Sequence, residues 1–600
     1  MNDAMDVALC LALLALRAAI GLAGYSGEGK PPMYGDFEAQ RHWMELTVNL
    51  PPSHWYVHGS DNDLLYWGLD YPPLSAHASW LVGMFAQRLH PDLVALHASR
   101  GIETAATRAF MRNSVLVLDA LIYLPAVYAC AAYAAPPTGA HRGRRLLLVL
   151  QLAATPALVL TDHGHFQYNC VSLGLGLWGM LAAMGGRPHA SAIAFSLALN
   201  FKQMSLYLAP AFFCYLLAGC LRTRRTMLGK ALATFQLAFT VLATFALCWL
   251  PFLGSAEAAL AVVRRIFPVE RHLYEDKVAN LWCTLALLPF LKLKAIFPLG
   301  TLLRLALGTT FLGLLPPCGL LLARPSRLGF LLCATACALS FFLCSFQVRM
   351  HCTRDLRCMH CTRDLRCMHR PRDLRCMHRP RDLRYMHCPR DLRCMHCLNT
   401  AIESGHDCLD LPIWQVHEKH ILLPLLPAAL LAPRQPTLFA WFATTAAFSL
   451  YPLLERDGQA LPYAVCQLGF LALTLALEPA APPTSPADPE GKAATAAATA
   501  DMPPPPLRLP WPARAAMGLS LTGMVLLHVL KALVTPPTRY PDIHTVAFAA
   551  YSCVHFVAAY VAALGWQWHA IGVEEAHTPF DGRALTPFLL GGAAVHAKSE

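Results

Sequence analysis

The sequence predicts an all-α polytopic membrane protein, and three observations lead to this fold class. Charged residues make up only 14% of the 600 residues, against about 25% in ordinary soluble proteins. Hydrophobic residues make up 56% of the chain, which leaves too little polar surface for a soluble protein of this size. They occur in runs close to the roughly 20 residues that a helix needs to cross a bilayer. The runs are continuous rather than alternating, which argues against a β-barrel.

These apolar runs, among them residues 328–347 and 437–453, predict eleven to fourteen membrane-spanning helices. The first run covers residues 6–24 and contains Arg17. No small-residue cleavage site follows it, so we expect a retained span rather than a cleaved signal peptide. The predicted units of the chain are the first span (1–24), a large polar first loop with interfacial helices (25–112), a transmembrane helix bundle (113–347), a repeat insertion (348–415), further transmembrane helices (416–477), a Pro- and Ala-rich linker (478–513) and a C-terminal pair of spans with a tail (514–600).

The charges in the loops indicate how the chain is oriented in the membrane. The formal net charge is +11, and it is mostly arginine in loops, which is typical of cytosolic loops rather than of a nucleic-acid-binding surface. We therefore expect no nucleic acid partner. Basic clusters that predict cytosolic loops lie at residues 141–145, 222–225 and 324–327. This orientation places the first loop, the Asp162–Asn169 segment and residues 264–280 together on the opposite side.

Residues 350–397 form a nine-residue repeat, in which Met-His is followed by variants of Cys-Thr-Arg-Asp-Leu-Arg. Two Cys-x-x-Cys pairs in the repeat would suit a metal-binding scaffold, but other copies carry arginine in place of the cysteine. Gln347-Val348 precedes the segment and Gln415-Val416 closes it, and codons for these pairs can supply the GT and AG ends of an intron. We therefore predict that residues 348–415 are a retained intron.

Asp36 is the first candidate for chemistry. It follows a glycine at the mouth of the first span, in a polar cluster that runs from Tyr34 to Trp43. An aspartate there can be a helix N-cap, a position that favours aspartate, or a general base in a water-accessible site. Both interpretations stay open on these residues alone. The residues that follow share one helical face and predict a short interfacial helix.

Two further polar clusters lie on the same predicted side. The segment Tyr66–Pro73 contains Asp70 and Tyr71, and it suits either a sugar or an ordinary aromatic loop at the level of the lipid headgroups. The segment Asp162–Asn169 brings three candidate metal ligands close together in sequence, but its Asp-x-x-His spacing is only a weak metal signal.

Cations near the ends of predicted spans suit a phosphate group. Arg264 and Arg265 are adjacent, and guanidinium groups give directed, charge-assisted hydrogen bonds to phosphate. Lys202 and His417 each lie beside an apolar run. Anchoring at the membrane interface is the common alternative for such residues. A carboxylate, cations, aromatic rings and apolar walls together suit a lipid-linked sugar phosphate, although a transporter substrate stays open at this point.

Seven segments carry a resemblance to a known family: Tyr34–Trp43, Tyr66–Ser75, Arg100–Arg112, Leu160–Asn169, Phe201–Met204, Phe267–Trp282 and Val416–Lys419. In these segments, which occur in order over about residues 25–430, the chain resembles the eukaryotic lipid-linked oligosaccharide glucosyltransferases of the endoplasmic reticulum. The resemblance implies a GT-C-type fold, a multi-pass location in the endoplasmic reticulum membrane among its lipids, and an active site that faces the lumen.

The resemblance also implies the reaction and its substrates. The donor would be dolichyl phosphate glucose and the acceptor dolichyl-pyrophosphate-linked Man(9)GlcNAc(2). An inverting transfer would add the first glucose in α-1,3 linkage without a metal or other cofactor. The sister enzyme that adds the second glucose is the alternative within the family, and a lipid-sugar transporter or flippase is the alternative from another class. A transporter would need ionisable residues along a path through the membrane, whereas here they gather on one predicted face.

The same resemblance implies roles for individual residues. Asp36 would be the general base, and Asp70, which would position sugar hydroxyls, is the rival base. His417 would be the first ligand of the donor phosphate, with the two arginines and the lysine named above behind it. The predicted substrate-binding residues are His417, Asp70, Arg264, Arg265, Lys202, Tyr71, His165, Gln167 and Trp43.

Overall fold

The computed structural model describes eight stretches of the chain: residues 3–134, 142–267, 272–273, 278–287, 293–345, 348–349, 416–477 and 509–573. The nine-residue repeat, most of the Pro- and Ala-rich linker and the tail beyond residue 573 lie outside these stretches, so the predictions made for them stay predictions. The described residues form helices and turns, apart from two-residue strands β1 (His272–Leu273) and β2 (Val348–Arg349), which pair antiparallel.

The first half of the chain supplies the first loop and the helices that carry most of the polar clusters. Its α-helices are α1 (Asp3–Ile20), α2 (Gly35–Asn49), α3 (Pro73–Leu89), α4 (Ala105–Leu118), α5 (Leu124–Ala134), α6 (Arg142–Ala153), α7 (Pro156–Val159), α8 (Asn169–Met184), α9 (Pro188–Phe201), α10 (Ala209–Thr223), α11 (Met227–Trp249) and α12 (Ala256–Ile266). Two π-helical segments, Asp119–Tyr123 and Leu160–Phe166, continue α4 and α7. Short 3-10 helices lie at Pro52–His54, Pro91–Val94, Gln203–Leu208 and Leu250–Phe252.

The second half of the chain completes the bundle. Its α-helices are α13 (Leu281–Leu285), α14 (Leu293–Ile296), α15 (Leu299–Ala323), α16 (Arg327–Cys344), α17 (Leu422–Leu431), α18 (Pro436–Arg456), α19 (Ala460–Leu477), α20 (Trp511–Leu533) and α21 (Ile543–Val573). A 3-10 helix at Glu418–Ile421 leads into α17. The largest buried core draws side chains from α1 to α21, so both halves share one interior.

Ten helical segments in the described stretches are long and apolar enough to cross a bilayer. They are Ala105–Ala134, Gly143–Phe166, Gln203–Thr223, Met227–Phe252, Gly300–Ala323, Arg327–Cys344, Pro436–Arg456, Ala460–Leu477, Trp511–Leu533 and Ile543–Ala570. The chain is therefore a multi-pass membrane protein. Helix α8 is apolar but has only 16 residues, so the number of crossings, predicted as eleven to fourteen, stays a prediction.

The charge inside the first apolar helix is paired within the protein. The Arg17 side chain is fully buried, and its Nε pairs with the carboxylate of Asp119. Its Nη2 donates to the carbonyl of Ala153 at 2.8 Å, and Asp119 Oδ2 lies 2.8 Å from His163 Nε2. A charge within an apolar helix is expensive unless it is paired and hydrogen-bonded. This pairing explains how α1 carries an arginine and still packs into the bundle.

Helix α2 is held to the rest of the first loop by a buried charge network. Arg41 donates to Glu38 at 2.6 Å and to Glu45 at 2.7 Å, and these three side chains are at most 2% exposed. Arg41 also donates to the Leu93 carbonyl at 2.8 Å and to the Ser99 hydroxyl at 2.6 Å. The predicted helix is present, and its Arg41 face is buried against the end of the first loop.

We expect Arg41→Met to destabilise the protein by about 3–5 kcal/mol, because it leaves two buried carboxylates without their cation. The measurement is thermal unfolding of the purified protein in detergent. Arg108→Met is the matched control: its pair with Glu28 is 40% and 36% exposed, and such exposed pairs contribute about 0–1 kcal/mol. Equal melting temperatures for the Arg41→Met variant and the wild-type protein would contradict the role given to this network.

Candidate active site

Asp36 lies in the first turn of α2. There, Gly27 and Gly35 allow the backbone around Ser26 to contact the backbone at the start of the helix. Gly27 and Gly35 have φ values of +77° and +65°, which glycine adopts without strain. A Cβ on Gly35 would lie 2.6 Å from the Ser26 carbonyl carbon, so a side chain would force the segments apart. Their contact allows the Ser26 hydroxyl to accept the backbone N–H of Asp36 at 3.1 Å.

Asp36 is not the N-cap of its helix. Helix α2 begins at Gly35, the N-cap position is Tyr34, and the Tyr34 side chain makes no capping hydrogen bond. The capping interpretation of Asp36 is therefore wrong. The Ser26 hydroxyl accepts the Asp36 backbone N–H from outside the helix, and the Asp36 carboxylate contacts side chains from other parts of the chain.

Three donors from two distant parts of the chain meet the Asp36 carboxylate. Asp36 Oδ2 pairs with Nζ of Lys419, lies 3.0 Å from His165 Nε2 and accepts from Nε2 of Gln167. The Asp36 side chain is 25% exposed, whereas the side chains of His165 and Lys419 are 3% and 9% exposed. A carboxylate that donors hold on one side, with part of its surface open, is placed to accept a proton from a bound group.

The same neighbours set the charge of Asp36. Burial alone would raise the pKa of the carboxyl, but the positive charge of Lys419 and the hydrogen bond from His165 outweigh burial and hold the pKa well below its ordinary value. Asp36 is therefore ionised at neutral pH. An ionised carboxylate is the form that a general base needs.

His165 and Gln167 are placed by the π-helical segment Leu160–Phe166 and the extended residue that follows it. The wider i to i+5 turn of a π-helix often marks a functional site. Within this segment, Asp162 accepts from the Asn169 side chain at 2.7 Å and from a backbone N–H at 2.6 Å. Asp162 thus closes the segment onto α8, and the predicted substrate-binding residues His165 and Gln167 reach Asp36.

Lys202 forms a second layer behind Asp36. Its Nζ donates to Gln167 Oε1 at 3.0 Å and to Asn169 Oδ1 at 2.7 Å. The same Nζ lies 4.6 Å from the centre of the Tyr71 ring, and Tyr71 packs edge-on against Trp43 with ring centres 4.8 Å apart. The structure therefore joins Lys202, Tyr71 and Trp43 to the Asp36 cluster, which is formed by Asp36, His165, Gln167 and Lys419.

A small pocket opens beside this second layer. Lys202 and Tyr71 are among the residues that line it. The other lining residues are Gln40, Met44, Ser75, Ala78, Ser79, Val82, Leu118, Tyr168 and Phe201. A pocket with a few polar groups and mostly apolar walls suits a ligand that has a charged head and a hydrocarbon tail.

Asp70 and Arg265 are two predicted residues at the border of the site. Asp70 belongs to a loop there, and Arg265 contacts the backbone of that loop. Arg265 donates to the backbone carbonyls of Gly68 and Leu69, at 2.9 and 3.0 Å, so it holds this loop in place. The Asp70 carbonyl accepts from a neighbouring glutamine side chain at 3.1 Å. Arg264 is exposed on α12, and the structure gives it no contact with the Asp36 cluster among the residues described.

His417 lies two residues before Lys419, at the start of the 3-10 helix that leads into α17. Its side chain is 38% exposed, and Nδ1 lies 3.1 Å from the Glu418 carboxylate. The structure thus places His417 at the edge of the site, while Lys419 occupies the position next to Asp36.

Two residues of the site were absent from the predicted set. Lys419 belongs to the Val416–Lys419 segment, so its proximity in sequence to His417 was a usable signal. Asp457 is in the turn between α18 and α19, and its Oδ2 lies 2.5 Å from His165 Nδ1. Its signal was weaker: a carboxylate in a short polar turn between two apolar runs.

Comparison with known proteins places this site within a family. A model described as the ALG6, ALG8 glycosyltransferase family matches residues 9–351 and 411–562. The chain belongs to this family. A relative from Gallus gallus, named dolichyl pyrophosphate Man9GlcNAc2 alpha-1,3-glucosyltransferase, is 40% identical over 564 residues, which are 92% of this chain and 94% of the relative.

Relatives from other organisms carry the same name. The protein from Rattus norvegicus is 40% identical over 547 residues, covering 91% of this chain and 92% of its own length. The protein from Saccharomyces cerevisiae is 36% identical over 463 residues, covering 75% of this chain and 70% of its own length. All the residues of the Asp36 cluster lie in the two ranges that the ALG6, ALG8 family model matches.

This ALG6, ALG8 family member also contains a group of thiols away from the Asp36 cluster. The Sγ atoms of Cys318, Cys333 and Cys337 lie within 4.8 Å of one another, on α15 and α16. Three thiols at this spacing would suit a soft metal ion. Elsewhere in the described stretches, no group of three ligand side chains has the spacing of a metal site.

Proposed function

We propose that this chain is an inverting glucosyltransferase of the endoplasmic reticulum membrane. It transfers the first glucose from dolichyl phosphate glucose, in α-1,3 linkage, to dolichyl-pyrophosphate-linked Man(9)GlcNAc(2) on the lumenal side. The names of the relatives support the acceptor and the linkage. The observation that carries the chemistry is the ionised, partly exposed Asp36 carboxylate, with Lys419 and His165 behind it.

In this reaction Asp36 is the general base. It takes the proton from the acceptor hydroxyl while the hydroxyl oxygen bonds to the anomeric carbon and the bond to the dolichyl phosphate oxygen breaks. A single displacement of this kind inverts the anomeric carbon, so one carboxylate is enough and no covalent sugar intermediate forms. The partly exposed face of Asp36 is where the acceptor hydroxyl would lie.

The leaving dolichyl phosphate needs positive charge around it rather than an acid. Lys419 and Lys202 are the buried lysines near Asp36, and His417 lies at the rim with a partly exposed ring. Lys202 also lines the pocket with mostly apolar walls, which supports binding of a lipid phosphate there. Asp70, Tyr71 and Trp43 would contact the sugar.

The surrounding helices would form a GT-C-type fold with eleven to fourteen crossings. Ten apolar helices in the described stretches support a polytopic bundle of this kind. In this arrangement the first loop would cover the lumenal ends of the helices and enclose the acid, the lysines and the aromatic rings.

Transfer of labelled glucose tests this function. Membranes that contain the full-length chain, and lack any other first glucosyltransferase, are expected to move label from dolichyl phosphate glucose onto dolichyl-pyrophosphate-linked Man(9)GlcNAc(2) in α-1,3 linkage. An acceptor that already carries one glucose tests the sister activity and is expected to remain unmodified. Label that crosses the membrane without covalent transfer would contradict an enzyme and favour a flippase.

We also propose that residues 348–415 are a retained intron. The family match breaks between residues 351 and 411 and resumes beyond them, which supports an insertion into a continuous family sequence. Transcripts sequenced across this junction are expected to include a form that joins Gln347 directly to Val416. A mature messenger population that always contains the repeat would contradict this proposal.

A further inference from the structure

Phe166 has a backbone conformation that bulky residues rarely adopt. It lies between His165 and Gln167, which both contact the Asp36 carboxylate. Its φ is +87°, in the left-handed region that disfavours residues with a Cβ. Of the residues that the structure describes, only four besides glycines have a positive φ, and another of them, Tyr34, lies two residues before Asp36. Strained backbone of this kind gathers at active sites and persists only where its surroundings hold it.

The left-handed turn at Phe166 allows its two neighbours to reach the same oxygen. Side chains two residues apart on a helix do not face each other, so a continued helix would direct His165 and Gln167 to different sides. Instead the π-helical segment ends at Phe166, and Gln167 is extended with a φ of −154°. His165 Nε2 lies 3.0 Å and Gln167 Nε2 lies 2.5 Å from Oδ2 of Asp36.

The ring of Phe166 ties this turn to the helix that carries Asp36. The Phe166 side chain is fully buried, and its ring centre lies 4.8 Å from that of Phe37, the residue after Asp36 in α2. Phe37 in turn stacks on Tyr25 with ring centres 4.2 Å apart. Aromatic pairs of this kind stabilise a fold beyond the apolar area that they bury, so they can offset the cost of the backbone conformation.

The peptide groups on both sides of Phe166 are fixed as well. The Ser26 N–H donates to the His165 carbonyl at 3.0 Å, and the Gln167 N–H donates to the Asp162 carbonyl at 3.3 Å. These two bonds attach the residues before and after the turn to different parts of the chain. The conformation of Phe166 is therefore set by its surroundings rather than by its own preference.

We propose that Phe166 is a positioning residue for glucose transfer; this inference rests on the proposed function. Its left-handed backbone directs His165 and Gln167 to one oxygen of Asp36, and its ring, packed on Phe37, holds that turn in place. All three donors described for Asp36 engage Oδ2. Their alignment therefore sets the direction of Oδ1, the oxygen that would take the proton of the acceptor hydroxyl.

Phe166→Ala in the full-length protein tests the proposal, because it removes the ring and leaves a residue that disfavours a positive φ. We expect kcat to fall at least about tenfold, since a misplacement of about 1 Å in a catalytic group can cost about 10²-fold. KM for dolichyl phosphate glucose should stay within about twofold of the wild-type value, because the donor pocket keeps its residues. Initial rates at varied donor concentration give both constants.

Phe166→Gly separates positioning from loss of packing. Glycine also lacks the ring, but it adopts a positive φ without steric strain, so the turn that aligns His165 and Gln167 should be more populated than in Phe166→Ala. We therefore expect a higher kcat for Phe166→Gly than for Phe166→Ala. If the ring only packed the core, glycine would be no better than alanine, because both remove the same contacts.

Phe212→Ala is the matched control for loss of a buried ring. Phe212 lies on α10 and stacks on Phe195 with ring centres 3.9 Å apart. Its removal should lower the melting temperature, as Phe166→Ala does, while kcat of the folded protein stays at the wild-type value.

The outcomes distinguish this inference from the proposed function. Wild-type kcat in Phe166→Ala overturns the inference, as does a Phe166→Gly variant no faster than Phe166→Ala, even if Asp36→Asn is inactive and the proposed function stands. A raised donor KM with unchanged kcat would assign Phe166 to donor binding and also overturn it. An active Asp36→Asn variant would instead remove the proposed base. If the alanine and glycine variants do not fold, Phe166→Leu decides: at least about threefold lower kcat is expected, and wild-type kcat overturns the inference.

Discussion

Asp36→Asn is expected to lower kcat for glucose transfer by about 10²- to 10⁴-fold, the range that a general base contributes. The amide has the size of the carboxylate, and its oxygen can still accept from Lys419 and Gln167, so the fold and the donor pocket should persist. It cannot take the proton of the acceptor hydroxyl. Turnover, donor binding and melting temperature, measured on one purified preparation, separate a loss of chemistry from a loss of structure.

Two other aspartates provide the comparison for Asp36→Asn. Asp61 belongs to the same loop, is 52% exposed and pairs with His97, so Asp61→Asn should retain the activity of the wild-type protein. Asp70→Asn tests the rival base, and we expect it to affect KM more than kcat, because Asp70 would position sugar hydroxyls. Near-normal turnover by Asp36→Asn together with an inactive Asp70→Asn would transfer the role of the base to Asp70.

Lys419→Met is expected to lower kcat/KM for dolichyl phosphate glucose by about 10²-fold or more, because the site loses a buried cation that would face the departing phosphate. The same change removes the strongest of the groups that lower the pKa of Asp36, so this pKa should rise toward its ordinary value. Initial rates at varied donor concentration measure the effect on donor use. Lys419→Arg, which keeps the charge, should retain more activity than Lys419→Met.

Lys30→Met is the matched control for Lys419→Met. Lys30 is an exposed lysine of the first loop whose Nζ donates to the Arg456 carbonyl at 3.0 Å, so its loss should leave donor kinetics unchanged. If Lys419→Met has the donor kinetics of the wild-type protein, Lys419 does not bind the phosphate, and His417 and Lys202 become the remaining candidates.

The membrane-spanning helices could be predicted because their signal is local. The apolar run at residues 328–347 appears as α16 (Arg327–Cys344), and the run at 437–453 appears as α18 (Pro436–Arg456). In hydrocarbon a backbone must satisfy its own hydrogen bonds, so a long apolar run has few options besides a helix. The pairing of Arg17 with Asp119 could not be predicted, because it joins side chains 102 residues apart.

The candidate site was predicted in part, for a related reason. Asp36, His165 and Gln167 lie in polar segments beside apolar runs, where side chains of this kind are costly and stand out. Their mutual distances depend on the π-helical turn at Leu160–Phe166, and the apolar and polar patterns of the sequence do not signal that turn. Asp457 lies 292 residues from its partner His165, so only the packing of α18 against the π-helical segment reveals it.

The most direct test of the central claim, that Asp36 abstracts the acceptor proton, is a single-turnover measurement by rapid quenching. Enzyme saturated with labelled dolichyl phosphate glucose is mixed with excess acceptor, and the rate of covalent transfer is followed for the wild-type protein and for Asp36→Asn. We predict equal amounts of bound donor in the two proteins and a transfer rate at least about 10²-fold lower in the variant. Equal transfer rates would show that Asp36 does not act as the base.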